Sequence, residues 1–283
     1  DSISSHNING TLINCIDTTM TSGGGRLLYN WLRNPLADKK RIESRLEIVE
    51  KFIIDKNLLK QLRLRLKKTL DIERLISKIS RGSGTPRELI GLCDTLHIYD
   101  KCIKDLKEIK EFEKFVLPYK NLDAVMYKIM ETLNEDAPQL LKKGNVIKTG
   151  VSEKLDEYRE ILKNGKNWIR EFQKKERDRL DISSLKVSFN KVFGYYIEVT
   201  KAHHEKVPEE YIRKQTLVNS ERYITEDLKQ YEEKVLDAES NIYGFENELF
   251  QELVIEVSEE IFSIQSNASI FNEIDVLSSF SFL

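Results

Sequence analysis

The sequence is short of most features that mark a secreted, membrane-bound or metal-held protein. It has three cysteines among 283 residues, Cys15, Cys93 and Cys102. An odd number without metal-ligand spacing suits reduced core thiols in a cytosolic protein better than a disulfide framework. Proline and glycine are scarce, at 5 and 12 residues, which disfavours a turn-rich β-sandwich or a disordered chain. No stretch approaches the roughly 18 uninterrupted apolar residues of a membrane span, and no signal peptide opens the chain. An excess of one charge is missing too: 45 Lys and Arg against 47 Asp and Glu leave a formal net charge of −2. Any electrostatic function must therefore be local.

Catalytic constellations are also absent. His6, His97, His203 and His204 are scattered, and none stands at ligand spacing from cysteines or carboxylates. Neighbours on an extended chain point opposite ways, so His203 and His204 do not share a metal. No nucleophile-elbow serine and no dinucleotide-binding glycine pattern appears. The Gly-rich turn Thr21-Ser22-Gly23-Gly24-Gly25 could cradle a phosphate. Arg26-Leu27 stands where a P-loop needs Lys-Ser/Thr, however, so close packing is the favoured reading. Pairs such as Glu209-Glu210 and Glu232-Glu233 read as solvated faces. The chain is expected not to be an enzyme and to hold no cofactor or metal.

What is abundant is charge, at 33% of residues, which favours long solvent-facing helices. Two such helices dominate residues 151 to 265. Leu155, Tyr158, Leu162, Ile169 and Phe172, with Gly165 at the missing position, form one seam; Leu228, Tyr231, Val235, Ala238, Ile242, Phe245 and Leu249 form another. Both step three and four alternately, as coiled-coil seams do. Lying on one chain with an insert between them, the helices should bury these seams antiparallel, and the incoming one reaches about 40 Å.

The insert has a different period. Leu185, Val187 and Phe189, then Tyr195, Ile197 and Val199, alternate with polar or outward residues, as in half-buried strands, with Asn190 to Gly194 as the hairpin turn. A second extended pair, Gln215 to Val218 and Arg222 to Thr225, flanks the turn-prone Asn219-Ser220. Thr225 then caps the outgoing helix.

Upstream, Asp38 caps a helix striped with Ile42, Leu46, Val49 and Ile53, and Leu58 to Ile79 forms another. Thr85-Pro86-Arg87-Glu88 is a capping box with proline at the first helical position. A further helix is expected from Asn121 to Leu133, and a short strand at Val146-Ile147-Lys148. The fold expected is mainly α: a helical core with a long antiparallel lever-helix pair carrying a small β-rich module at its tip. Residues 1–150 form the core, 151–179 and 226–265 the levers, 180–225 the inserted module and 266–283 the return to the core. A start at Asp1 and an apolar run from Val276 to Leu283 suggest a piece of a longer polypeptide.

Between Lys166 and Arg222 bases outnumber acids modestly, with Asn190, Tyr195, Tyr196, Asn219 and Tyr223 interleaved. That mix suits phosphate contact, although composition leaves a normally solvated surface open. Here the sequence also becomes recognisable. Leu185 to Thr200 (LKVSFNKVFGYYIEVT) and Val207 to Thr225 (VPEEYIRKQTLVNSERYIT) closely resemble the clamp of the bacterial MutS family of DNA mismatch-repair proteins. Gly24 to Pro35 (GGRLLYNWLRNP), Asp71 to Leu75 (DIERL) and Arg81 to Arg87 (RGSGTPR) resemble that family's core motifs, so the likeness covers essentially the whole chain.

The resemblance implies the core, lever and clamp portion of a dimeric, ATP-driven DNA clamp of the bacterial cytoplasm and nucleoid. The Phe-x-Glu mismatch-reading module and the Walker A motif are missing, so ATP and Mg belong to an ATPase domain outside this chain. Duplex DNA, a second protomer and a MutL-like repair protein are the implied partners. By position in the clamp motif, the implied backbone contacts are Asn190 and Lys191 in the first turn, then Arg213, Lys214, Thr216, Asn219 and Arg222 near the second, with Lys201. Arg213 and Lys214 together should carry part of the salt dependence. Tyr195, Tyr196 and Tyr223 read as packing residues, because a backbone clamp needs no unstacked base. The competing reading is a structural coiled-coil arm with a protein-dimerising tip, like that of SMC proteins, without DNA contact.

Overall fold

The computed structural model describes residues 11–190, 192 and 194–282, without the side chain of Lys166. It is mainly α-helical with one small sheet. The order is α1 (Leu12–Ile16), α2 (Ser22–Arg33), α3 (Lys39–Ile54), α4 (Lys56–Leu66), α5 (Ile72–Ile79), α6 (Pro86–Lys107), α7 (Lys110–Val116), α8 (Asp123–Thr132) and α9 (Glu153–Leu180). The sheet strands β1 (Lys186–Asn190), β2 (Gly194–Thr200), β3 (Ile212–Thr216) and β4 (Ser220–Ile224) follow, then α10 (Glu226–Glu259) and α11 (Ile261–Phe280). No described helix is long and apolar enough to cross a membrane. The chain divides into two compact units: residues up to Lys148 with those from Leu249 onward, and Thr149–Glu248.

In the first unit the local start signals act as expected. Asp38 and Asp71 accept backbone N–H groups from Arg41 and Arg74, and Thr85 and Glu88 form the full capping box of α6. The Gly-rich turn is a packing device. Thr21 caps α2, and a Cβ on Gly24 would collide with the Asp275 carboxylate of α11. That buried carboxylate accepts the Met20 and Thr21 amides at 2.9 and 2.8 Å and the Thr21 hydroxyl at 2.7 Å. Asp275 therefore brings the protein's own anion to the helix N-terminus, in the place an external phosphate would take. Burial raises its pKa, against the pull of those hydrogen bonds.

Three expectations for this unit need correction. The helix expected over 58–79 is two, α4 and α5, because Asp71 starts a new helix and the Leu70 amide donates to Thr95 on α6 at 3.1 Å. The α3 stripe is not a core face: Ile42, Leu46 and Ile53 are 37%, 59% and 53% exposed, whereas Ile48 and Phe52 are fully buried, Phe52 against Phe112. Of the cysteines, Cys93 and Cys102 are core thiols pushed up to about 11 by burial, but Cys15 is exposed. The apolar run near the end of the sequence packs internally, with Val276 and Leu277 buried in α11. Phe271 of the same helix stacks on Tyr99 at 3.7 Å between centroids.

In the second unit α9 and α10 run antiparallel. Tyr158 stacks on Phe245, Arg159 pairs with the buried Glu246 at 2.7 Å, and Trp168 lies flat on Tyr231 at 3.9 Å and 7°. Gly165 fills the gap in the α9 seam because the Tyr231 phenol occupies that space; a Cβ there would collide with the phenol oxygen. No seam residue of α9 or of α10 as far as Phe245 is exposed. At the sheet, Phe172, Ile182, Leu185, Ile197, Val199, Tyr211, Tyr223 and Leu228 form a separate small core. Each large apolar side chain so buried contributes about 1.5–3 kcal/mol. The outgoing helix is shorter than the expected 226–265: α10 ends at Glu259, one residue after Ser258, whose hydroxyl donates to the Val254 carbonyl at 2.7 Å. Such back-bonding bends helices.

Gly165→Val should destabilise the second unit by about 1–3 kcal/mol through overpacking against a ring that stacking holds in place. Gly244→Ala, with nothing within 4 Å of the added methyl, should stabilise α10 by about 0.5–1 kcal/mol. Urea unfolding in a Trp31→Phe background, followed by Trp168 fluorescence, separates the two, and equal effects would mean that the Gly165 notch plays no part in the helix pairing.

Candidate nucleic-acid interface

The sheet has strand order β1-β2-β4-β3, antiparallel throughout. Asn190 lies opposite Gly194, and Thr200 opposite Ser220. The β1–β2 turn and the β3–β4 turn therefore leave from opposite ends of a sheet about 20 Å long. Its open β1 edge is covered by α9: the Val187 amide donates to Gln173 at 2.8 Å, and Arg177 donates to the Leu185 carbonyl at 2.6 Å. These bonds run β1 back along α9. The end with Thr200 and the β3–β4 turn consequently lies by the C-terminal end of α9, and the β1–β2 turn points back along the helix pair.

Three of the sequence-derived candidates meet at the α9 C-terminal end. The Lys201 amide donates to the Asn219 carbonyl at 3.1 Å, and the Leu217 amide to the Ser220 carbonyl at 2.8 Å, closing the turn. Lys201, Thr216 and Asn219 are all exposed there. Lys214 is exposed nearby, in the irregularity of β3 between Arg213 and Gln215. Neither Lys201 nor Lys214 makes an ion pair among the described residues.

The other candidates lie apart or are engaged. Asn190 sits at the opposite end, where its side-chain oxygen accepts the Val192 amide at 2.7 Å, an Asx-turn. Gly194 closes that turn at φ +72°, and the Glu232 carboxylate of α10 occupies the space a Cβ there would need. Lys191 lies outside the described residues. Arg222 is a sheet brace: it donates to Glu198 at 3.1 Å and Gln215 at 2.8 Å and lies 4.5 Å over the Tyr196 ring. Arg213 is intermediate, 58% exposed yet 3.3 Å from Glu221.

Sequence reasoning misses Glu221. This buried carboxylate accepts the Tyr223 hydroxyl and lies 3.2 Å from His204 and 3.3 Å from Arg213. The Tyr223 hydrogen bond holds its carboxyl below the usual range, with help from Arg213 and His204. Burial and Glu221 push Tyr223 up to about 12. The available sequence signal is the two-residue spacing that puts Glu221 and Tyr223 on one face of β4. A second such centre ties α9 to the loop before β3: buried Glu176 accepts Tyr211 and Arg179, each at 2.7 Å, and Arg179 also pairs with Glu210. Tyr195, packed edge-on against Phe189 and Tyr231, and buried Tyr196 and Tyr223 are packing residues.

A sheet carried by a paired helix and joined in sequence to helical segments before and after it is what the profile of MutS domain III matches, over residues 2–281. The chain belongs to the MutS domain III family. It is 45% identical to the DNA mismatch repair protein MutS of Flavobacterium johnsoniae, over 96% of this chain and 32% of that protein. It is 42% identical to the MutS of Halothermothrix orenii, over 95% of this chain and 30% of the relative. The MutS of Thermotoga petrophila gives 40%, over 96% and 34%. The chain spans about a third of the length of these curated relatives.

In this MutS domain III the bracing role of Arg222 is separable from ligand contact by experiment. Arg222→Ala should cost about 1–3 kcal/mol of stability, because it removes charged hydrogen bonds and the packing on the Tyr196 ring at once. It should leave the salt dependence of any nucleic-acid binding at the parental value. Thermal unfolding and a binding titration at several salt concentrations check both; full stability with a shallower salt slope would make Arg222 a ligand-facing residue.

Proposed function

We propose that this chain is the core, lever and clamp portion of a MutS mismatch-repair protein, and that its sheet contacts the sugar-phosphate backbone of duplex DNA without reading bases. The observation that carries this reading is the grouping of Lys201, Lys214, Thr216 and Asn219. They are exposed donors on the outer strand and one end of the sheet, and their cations have no described carboxylate partner. Ammonium groups supply charge, while hydroxyl and amide groups orient phosphate oxygens. Arg213 joins them by releasing its long bond to Glu221.

In this reading the helix pair is a lever. Its rigid packing carries nucleotide-driven motion from an ATPase domain elsewhere in the full-length protein, where ATP and Mg act. The full-length protein works as a homodimer with a MutL-like partner in the bacterial cytoplasm, on nucleoid DNA, and this portion performs no chemistry of its own. A dimerising coiled-coil arm without DNA contact is not favoured, because the family match runs through the sheet as well as the helices.

Fluorescence anisotropy of the chain against random duplex DNA, with and without a mismatch, should give equal and salt-weakened binding. The expected Kd is roughly 10⁻⁴ to 10⁻⁶ M at physiological salt. Lys201→Ala with Lys214→Ala should reduce the log–log salt slope by about 1.8, at about 0.9 per phosphate contact. An unchanged slope removes both residues from the site; mismatch preference contradicts a backbone-only contact, and absence of binding at low salt contradicts the DNA reading.

A further inference from the structure

A second row of cations lies outside the sheet, on α9. Lys163, Arg170 and Lys174 stand seven and four residues apart. That spacing puts them on one helix face, about 10 Å and about 6 Å apart along the axis. All three are exposed. Lys163 approaches Glu160 only at 3.9 Å, with both side chains largely in solvent, and Arg170 and Lys174 make no ion pair among the described residues. By helical geometry the exposed acids of this stretch, Glu160, Glu171 and Asp178, fall to one side of the row, and the remaining acid, Glu176, is buried. The facing helix has the opposite sign: from Glu226 to Glu248, α10 has eight acidic residues and two basic ones.

The row is continuous with the end of the sheet that carries Lys201. Lys186 is exposed at the start of β1, opposite Glu198 and two residues short of the Thr200 position. The bonds from Gln173 and Arg177 hold this strand start against the α9 turn that precedes Asp178. Cations thus follow one another from Lys201 through Lys186 to Lys174, Arg170 and Lys163. A polyanion meets attraction on this side of the helix pair and repulsion on the α10 side.

We propose that this row is a second phosphate track, along which the backbone of a duplex seated at the end of the sheet continues beside α9. The proposal rests on the DNA reading of the sheet and extends it. Its occupant is a nucleic-acid backbone because the row adjoins that site and needs no shaped pocket to hold a linear polyanion. Simultaneous engagement of sheet end and helix would also fix the direction in which the duplex crosses the lever.

The test is a salt titration of duplex binding by the whole chain, comparing the parent with Lys163→Gln/Arg170→Gln/Lys174→Gln. Removing three phosphate partners should lower the salt slope by about 2.7, so that raising salt from about 50 to about 200 mM weakens the variant about 40-fold less than the parent. The charge-keeping exchange Arg170→Lys/Lys174→Arg should retain the parental slope, which a structural defect would not predict. If the triple variant keeps the full slope while Lys201→Ala/Lys214→Ala loses it, the track is wrong and the sheet contact stands. If the parent binds no duplex, both readings fall. If sedimentation equilibrium shows the triple substitution altering self-association while the salt slope stays fixed, the row faces the acidic helix of a second copy, and the track is overturned.

Discussion

Heptad seams alone leave the pairing of two long helices degenerate, because a slide of seven residues restores apolar contact. Here the flat stack of Trp168 on Tyr231, seated over Gly165, removes that freedom. Seven residues either way from Gly165 stand Tyr158 and Phe172, whose rings would fill the space that the Tyr231 phenol needs. The Arg159–Glu246 pair, buried on the acid side, adds a second fixed point. With register set there, Phe172 and Leu228 meet at the base of the sheet and join Ile197, Val199 and Tyr223 in its core. The orientation of the sheet therefore depends on that aromatic stack, on the glycine that admits it and on the Arg159–Glu246 pair.

The sheet sorts its charges by the same local logic. Buried or half-buried carboxylates take the nearest basic side chains: Glu198 holds Arg222, Glu221 holds Arg213 and lies against His204, and Glu176 holds Arg179. An unpaired carboxylate in those positions would be costly, so Arg222 and Arg179 serve the fold before any ligand, whereas Glu221 keeps the Tyr223 hydroxyl and His204 when Arg213 lets go. Lys201 and Lys214 escape because they stand where the sheet has no carboxylate to satisfy, the first past the end of β2 and the second in the irregular edge strand. Their availability to a polyanion follows from that placement. A net charge near zero hides this arrangement, since α10 offsets at a distance what α9 and the sheet end display.

Local signals are legible in the sequence and long-range choices are not. The capping box at Thr85, the caps at Asp38 and Thr225, and the change of period at residue 185 all act within a few residues of themselves, and each reappears in the structure. The break between α4 and α5 depends on Thr95, some 25 residues away, and no periodicity reports it. On α3 two apolar faces compete, and the position of Phe112 decides for Phe52 over Leu46. Arg222 and Asn190 match the clamp motif as well as Asn219 does, yet strand register puts Arg222 against Glu198 and Asn190 at the opposite end of the sheet. Motif position names candidates; register and ion pairing decide which of them face outward.

Site-directed photocrosslinking tests most directly the proposed contact between the sheet end and DNA. With exposed Cys15 replaced by serine and Cys93 and Cys102 buried, a single benzophenone label can be placed at Asn219→Cys, or at Asp237→Cys on the acidic outer face of α10. Duplex DNA should crosslink to the label at 219 in a salt-sensitive manner and not to the label at 237. Crosslinking from 237 as strong as from 219, or from neither at low salt, would contradict a clamp that meets DNA through the end of its sheet.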